Sequence, residues 1–123
     1  MKTIRSFTDS FRYALDGIAH ALITERNMKF HLLATVLVVA FGLYLDLNRQ
    51  DWLFVIVAIA LVLITETINS ALEEVVDLIS PGYNVKARNA KNMCAGAVFL
   101  AALTSVIIGI LVFGKYLFNI WRI

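Results

Sequence analysis

The chain has 123 residues, 60% of them hydrophobic and only 16% charged, with a formal net charge of +2. A soluble domain this small cannot hide so much apolar surface in its own core, so lipid must supply the rest of the burial. The charge is too small and its basic residues too scattered for a nucleic-acid partner, and a single cysteine, Cys94, excludes an intramolecular disulfide or a site of several thiolates.

Cys94 lies between Met93 and Ala95 in an apolar run, the setting of a packed thiol. The first apolar run comes only after a charge-rich N-terminal stretch, and no short apolar segment with a small-residue cleavage site precedes it. The N-terminus is therefore expected to be retained.

From Ser6 to Leu22, the residues Phe7, Phe11, Ala14, Leu15, Ile18, Ala21 and Leu22 recur at spacings of three and four, with Asp9, Arg12, Asp16 and His20 between them. That pattern predicts an amphipathic surface helix over residues 1–24, lying in the bilayer interface. A first membrane helix follows at 28–45. His31, near its start and with no second histidine close to it, is read as an interfacial side chain satisfied locally. The polar stretch Asp46 to Asp51 is too short to cross a membrane, so the next span must return.

The second membrane helix is predicted over 52–79. Trp52 to Thr65 is uninterrupted except by its own small polar residue at the end, and helical periodicity continues through Glu66, Asn69, Glu73 and Asp77 until Ser80-Pro81-Gly82 stops it. About twenty residues fill a hydrocarbon core, so the part beyond Leu72 is expected to stand out of the membrane. The third membrane helix, 92–115, is almost free of ionisable groups and ends at Lys115, with Trp121 and Arg122 as further interfacial anchors. The fold class is thus all-α and integral to the membrane.

Orientation follows from the basic residues. Lys2, Arg5, Arg12, Arg26 and Lys29 precede the first span, Arg49 alone sits in the first loop, Lys86, Arg88 and Lys91 fill the second, and Lys115 and Arg122 follow the last span. The N-terminus and second loop are expected on the cytoplasmic side of a bacterial inner membrane.

On an α-helix, Glu66, Asn69, Glu73 and Asp77 fall within about 80° of one another and form a polar stripe roughly 16 Å long. Ionisable groups inside a span are costly and by default mark function. The plainer reading makes Asn69 and the carboxylates interhelical hydrogen-bond glue. Against it, three carboxylates on one stripe plus Glu25 at the start of the first span need cations, which Lys91 and a divalent metal would supply. Glu74 points about 100° away from Glu73 and is read as a solvated charge. There is no GxxxxGK[ST] and no GxGxxG after a strand, so pattern reading ends at an intramembrane acidic site facing a basic loop.

The run Glu66-Thr67-Ile68-Asn69-Ser70-Ala71-Leu72-Glu73-Glu74-Val75-Val76-Asp77 resembles the ExxN[ST]AxExxxD signature of the prokaryotic diacylglycerol kinase family, small three-span lipid kinases that form homotrimers. Glu25-Arg26-Asn27-Met28-Lys29, Ala90-Lys91-Asn92-Met93 and the surface helix extend the resemblance over nearly the whole chain, and the run ending at His31 is more similar to the undecaprenol kinase branch. The resemblance implies phosphoryl transfer from ATP, with Mg2+, to the hydroxyl of undecaprenol or diacylglycerol. It implies Glu66 as general base on the lipid hydroxyl, Asn69 beside it in the substrate site, and Glu25 and Glu73 as metal and nucleotide ligands. It further implies nucleotide contacts from Tyr13, Asp77, Gly82, Tyr83, Asn84, Lys91 and Asn92.

Two positions depart from the family pattern. Asn92 stands where the family has Asp after the lysine, which keeps the size and removes the charge, and Ser6 stands where the family has Arg, with Arg5 adjacent. Two alternatives stay open at this stage: a kinase weakened by Asn92, and a small proton-coupled transporter built around Glu66.

Overall fold

The computed structural model describes residues 6–121, so the readings placed on Lys2, Arg5 and Arg122, and on the side chain of Trp121, lie outside the described residues. Four helices follow in order: α1 Phe7–Thr24, α2 Arg26–Tyr44, α3 Arg49–Ile79 and α4 Val85–Trp121. No strand occurs among the described residues. α2, α3 and most of α4 are long and apolar enough to cross a membrane, giving the expected three spans.

Ser6 starts α1 by accepting a hydrogen bond from the Asp9 N–H at 3.2 Å, and Asp9 places its negative charge in the first turn, where the helix dipole favours it. Glu25 alone separates α1 from α2. Its extended backbone (φ −96°, ψ 119°) breaks the helix, while its N–H still bonds to the carbonyl of Ala21 and its carbonyl accepts from Lys29 N–H at 3.3 Å. The corner turns α1 off the axis of the span and leaves Phe7, Phe11, Leu15 and Ile18 exposed, as an interfacial helix requires.

α2 ends in a Schellman-type turn. The Leu47 N–H reaches the Gly42 carbonyl at 3.2 Å, and Asp46 takes the left-handed conformation at φ 54°. Asn48 then caps α3 by accepting from Asp51 N–H at 2.9 Å. Trp52 folds back onto the missing side chain of Gly42: a Cβ there would lie 2.8 Å from Trp52 Cη2 and 3.0 Å from Leu47 Cδ1.

The same end of the molecule carries a polar clasp. Asp51 is only 4% exposed, and its carboxylate accepts from Lys115 Nζ at 2.7 Å and from the Tyr116 hydroxyl at 2.6 Å. The Tyr116 oxygen in turn accepts from Asn48 N–H at 3.1 Å. Lys115, expected as an interfacial anchor, thus turns its ammonium onto the α2–α3 turn and fastens the end of α4 there. Leu47, Val55 and Val112 form the apolar core beside this clasp.

α3 is the central helix, with 33% of its most apolar window buried against 11% for α2 and for α4. α4 packs along it, and Ser105 Oγ donates across to the Ala58 carbonyl at 2.9 Å. The hydroxyls of Thr35, Thr65, Thr67, Ser70 and Thr104 donate to carbonyls one turn back, which satisfies them within apolar helices. α4 is longer at both ends than the apolar segment 92–115. Asn84 Oδ1 accepts from the N–H groups of Lys86 and Ala87 at 2.9 and 3.2 Å, so a side-chain cap starts the helix before the apolar run begins.

The Trp52 contact predicts that Gly42→Ala lowers the thermal stability of the detergent-solubilised protein by about 1–3 kcal/mol, because a ring locked by its neighbours must move. Gly114→Ala, with nothing within 4 Å of the added carbon, should cost nothing in the same melting experiment.

Candidate active site

Exposure rises steadily along the polar stripe of α3. Glu66 is 2% exposed, Asn69 7%, Glu73 is half-buried and Asp77 is open to solvent. The helix therefore carries one row of polar groups from a dry end to a wet end. Asn69 Nδ2 donates to Glu73 Oε1 at 3.4 Å, and Asn69 Oδ1 is buried with no hydrogen-bond partner among the described residues. A buried acceptor left without a donor is uncommon and marks a place where a ligand or water is wanted.

Glu66 faces α2. His31 Nε2 lies 3.7 Å from Glu66 Oε2, with side-chain exposures of 19% and 2%, and Asn27 one turn earlier on α2 is its other polar neighbour. Glu25 and Glu73 are its further carboxylate neighbours. The fold thus gathers Glu25, Glu66 and Glu73 into one acidic region.

The reading of His31 as a locally satisfied interfacial residue is corrected here: its ring points inward, to the deepest carboxylate. A signal for this was present in the sequence. Asn27, His31 and Thr35 recur every four residues along one face of an otherwise apolar helix, as the α3 stripe does.

At the wet end, Lys91 of α4 donates to Asp77 in a largely exposed ion pair. Tyr13 and Glu25 line a cleft of about 310 Å³ between α1 and α3, together with Thr67 and Ser70. The loop Gly82–Asn84 makes no hydrogen bond or ion pair to the α3 carboxylates among the described residues. Instead Asn84 caps α4, and Arg88 donates to the Tyr83 hydroxyl at 3.2 Å. Asn92 is exposed on α4. Glu74, read as a solvated charge, is 64% exposed and meets the equally open His20 at 3.2 Å.

No group of three or more His, Cys, Asp or Glu side chains able to hold a metal occurs among the described residues. Mg2+ does not need one, since it is held through one or two carboxylates with phosphate oxygens and water completing the shell. Glu25, Glu73 and the unpartnered Asn69 Oδ1 are hard oxygen donors of the right kind.

A three-span bundle with a carboxylate stripe running from an apolar interior to open solvent defines a membrane-embedded protein of polar, intramembrane chemistry. Comparison with known proteins makes the class specific. The model of the family described as prokaryotic diacylglycerol kinase matches residues 12–113. The chain is 36% identical over 110 residues to the undecaprenol kinase of Bacillus subtilis, covering 89% of each protein. It is 34% identical over 95 residues to the diacylglycerol kinase of Escherichia coli K12, covering 77% of this chain and 78% of that one. A Synechocystis diacylglycerol kinase is 41% identical over 101 residues, which are 81% of this chain but 58% of that longer protein. The chain belongs to the prokaryotic diacylglycerol kinase family.

An ionised carboxylate buried in a span costs several kcal/mol unless it is well paired, and His31 at 3.7 Å pairs it loosely. Glu66→Leu should therefore leave thermal stability unchanged or raise it. A loss above about 3 kcal/mol in melting experiments would instead make Glu66 a structural group.

Proposed function

We propose that the chain transfers the γ-phosphoryl group of ATP, with Mg2+, to the hydroxyl of a membrane lipid, undecaprenol or diacylglycerol. The kinases it resembles by name support this reading. The observation that carries it is the exposure gradient along α3, from buried Glu66 to open Asp77, which suits a lipid hydroxyl at the one end and a nucleotide at the other. A proton-coupled transporter would need Glu66 but not the polar groups that continue outward from it.

In this reading Glu66 takes the proton of the lipid hydroxyl as its oxygen attacks the γ-phosphorus. Asn69 lies next along the stripe and orients the reacting groups. Glu73, about 10 Å further along by helical rise, and Glu25 would hold the metal, whose charge would offset that of the triphosphate. Lys91, drawn to Asp77 at the wet end, supplies positive charge to the nucleotide there. Tyr13, Gly82, Tyr83, Asn84 and Asn92 would complete the nucleotide contacts from α1, the α3–α4 loop and α4.

The protein sits in the bacterial cytoplasmic membrane with its N-terminus and the α3–α4 loop on the cytoplasmic side, where ATP is found. A single protomer leaves this region open, and the large exposed apolar faces of α2 and α4 suit a homotrimer with sites shared between subunits.

The test is transfer of labelled γ-phosphate from MgATP to each lipid in mixed micelles. Glu66→Gln should reduce the rate by about 10²–10⁴-fold, the range of a general base, with MgATP binding retained. Glu73→Gln should weaken metal-dependent nucleotide binding. Equal loss of binding in both variants would undo this division of roles. A large gain in the Asn92→Asp variant would mean that Asn92 limits the enzyme, and no transfer by any form would overturn the kinase reading.

A further inference from the structure

A carboxylate that accepts a proton in a directed way must be held, because a glutamate side chain has several rotors and a misaimed base loses much of its effect. Neither acidic neighbour can hold Glu66, since Glu25 and Glu73 repel it. Two groups on α2 can. Asn27 and His31 stand one turn apart on the face that meets Glu66, and His31 Nε2 is 3.7 Å from Oε2.

The surroundings of the imidazole single it out. Its ring makes no hydrogen bond among the described residues, and Phe30 meets it edge-on, with centroids 5.8 Å apart and planes at 75°. An apolar groove of about 360 Å³ runs between α2, α3 and α4, with Thr35, Val62, Ser105 and Val106 on its walls. His31 lines this groove and Glu66 does not. The imidazole therefore stands between the buried carboxylate and the apolar side of the molecule, in contact with both.

We propose that His31 is a positioning residue for the candidate base: its Nε2–H holds Glu66 Oε2 and so aims the carboxylate at the hydroxyl of the acceptor lipid. The inference rests on the reading of Glu66 as that base. In the step, the hydroxyl proton passes to the Glu66 carboxylate while the lipid oxygen forms its bond to the γ-phosphorus. The bond from that phosphorus to the β,γ-bridging oxygen breaks, and the electron pair leaves with ADP. The imidazole keeps its own proton throughout. The 3.7 Å separation closes to a hydrogen bond as the site is loaded, in the way catalytic contacts tighten on substrate binding.

Two readouts test this in the full-length protein in mixed micelles. The first is ¹⁵N NMR of the histidine ring nitrogens. The chain has two histidines, and His20, paired with exposed Glu74, is an internal control. Glu66→Gln should move the His31 ring signals and leave those of His20 in place, and unmoved His31 signals would overturn the contact. The second is kinetics. His31→Ala should lower kcat by about tenfold or more, with KM for MgATP changed less than about twofold. His31→Gln, which retains an N–H donor, should recover most of the rate, and His31→Phe should not.

Failure of His31→Gln to recover the rate in a folded protein, or parallel loss of kcat and MgATP affinity in His31→Ala, would overturn the positioning role. Absence of transfer by the unsubstituted chain would overturn the kinase reading itself, while the NMR readout would still report whether His31 engages Glu66.

Discussion

The placement of Glu66 is the constraint around which this molecule is organised. A carboxylate in an apolar span cannot be hydrated as it is in water, and its cost must be met by neighbouring polar groups or by a ligand. Here it is met incompletely. α2 brings Asn27 and His31 to it, α3 continues as a polar row toward solvent, and Glu25 arrives at the corner between α1 and α2.

The start and the middle of α3 handle buried charge in opposite ways. At Asp51 the carboxylate has a lysine and a tyrosine hydroxyl at hydrogen-bond distance, and the network closes on Asn48. Such a fully satisfied cluster fixes one geometry and ties α4 to the α2–α3 turn. At Glu66 the pairing is loose, and Asn69 Oδ1 one turn away has no hydrogen-bond partner among the described residues. The apolar packing of Leu47, Val55 and Val112 lies beside the closed Asp51 network.

Phosphoryl transfer to a lipid joins two reactants that come from different phases. In the proposed reaction, a single helix carrying a polar row from a buried to an exposed position would provide a meeting line for them without any phosphate-binding loop. The single-residue hinge at Glu25 contributes by fixing α1 against α3, so that Tyr13 and Glu25 border one cleft there. Most of the catalytic effect in this arrangement would be electrostatic and positional, since phosphoryl transfer asks for little covalent chemistry from the protein.

The sequence by itself determined the membrane class, the three spans and the α3 stripe, because these depend on composition and on periodicities of 3.6 residues that act locally. The family was equally legible, carried by the run from Glu66 to Asp77. The tertiary structure decided which polar groups meet. That His31 turns inward to Glu66, that Lys115 and Tyr116 close on Asp51 from more than sixty positions away, and that Lys91 meets Asp77 are outcomes of how α2 and α4 rotate about α3. Helix rotation is set by the packing of whole faces, such as Trp52 against Gly42 and Ser105 against Ala58. A spacing rule names the face a residue lies on but not the helix that face will meet.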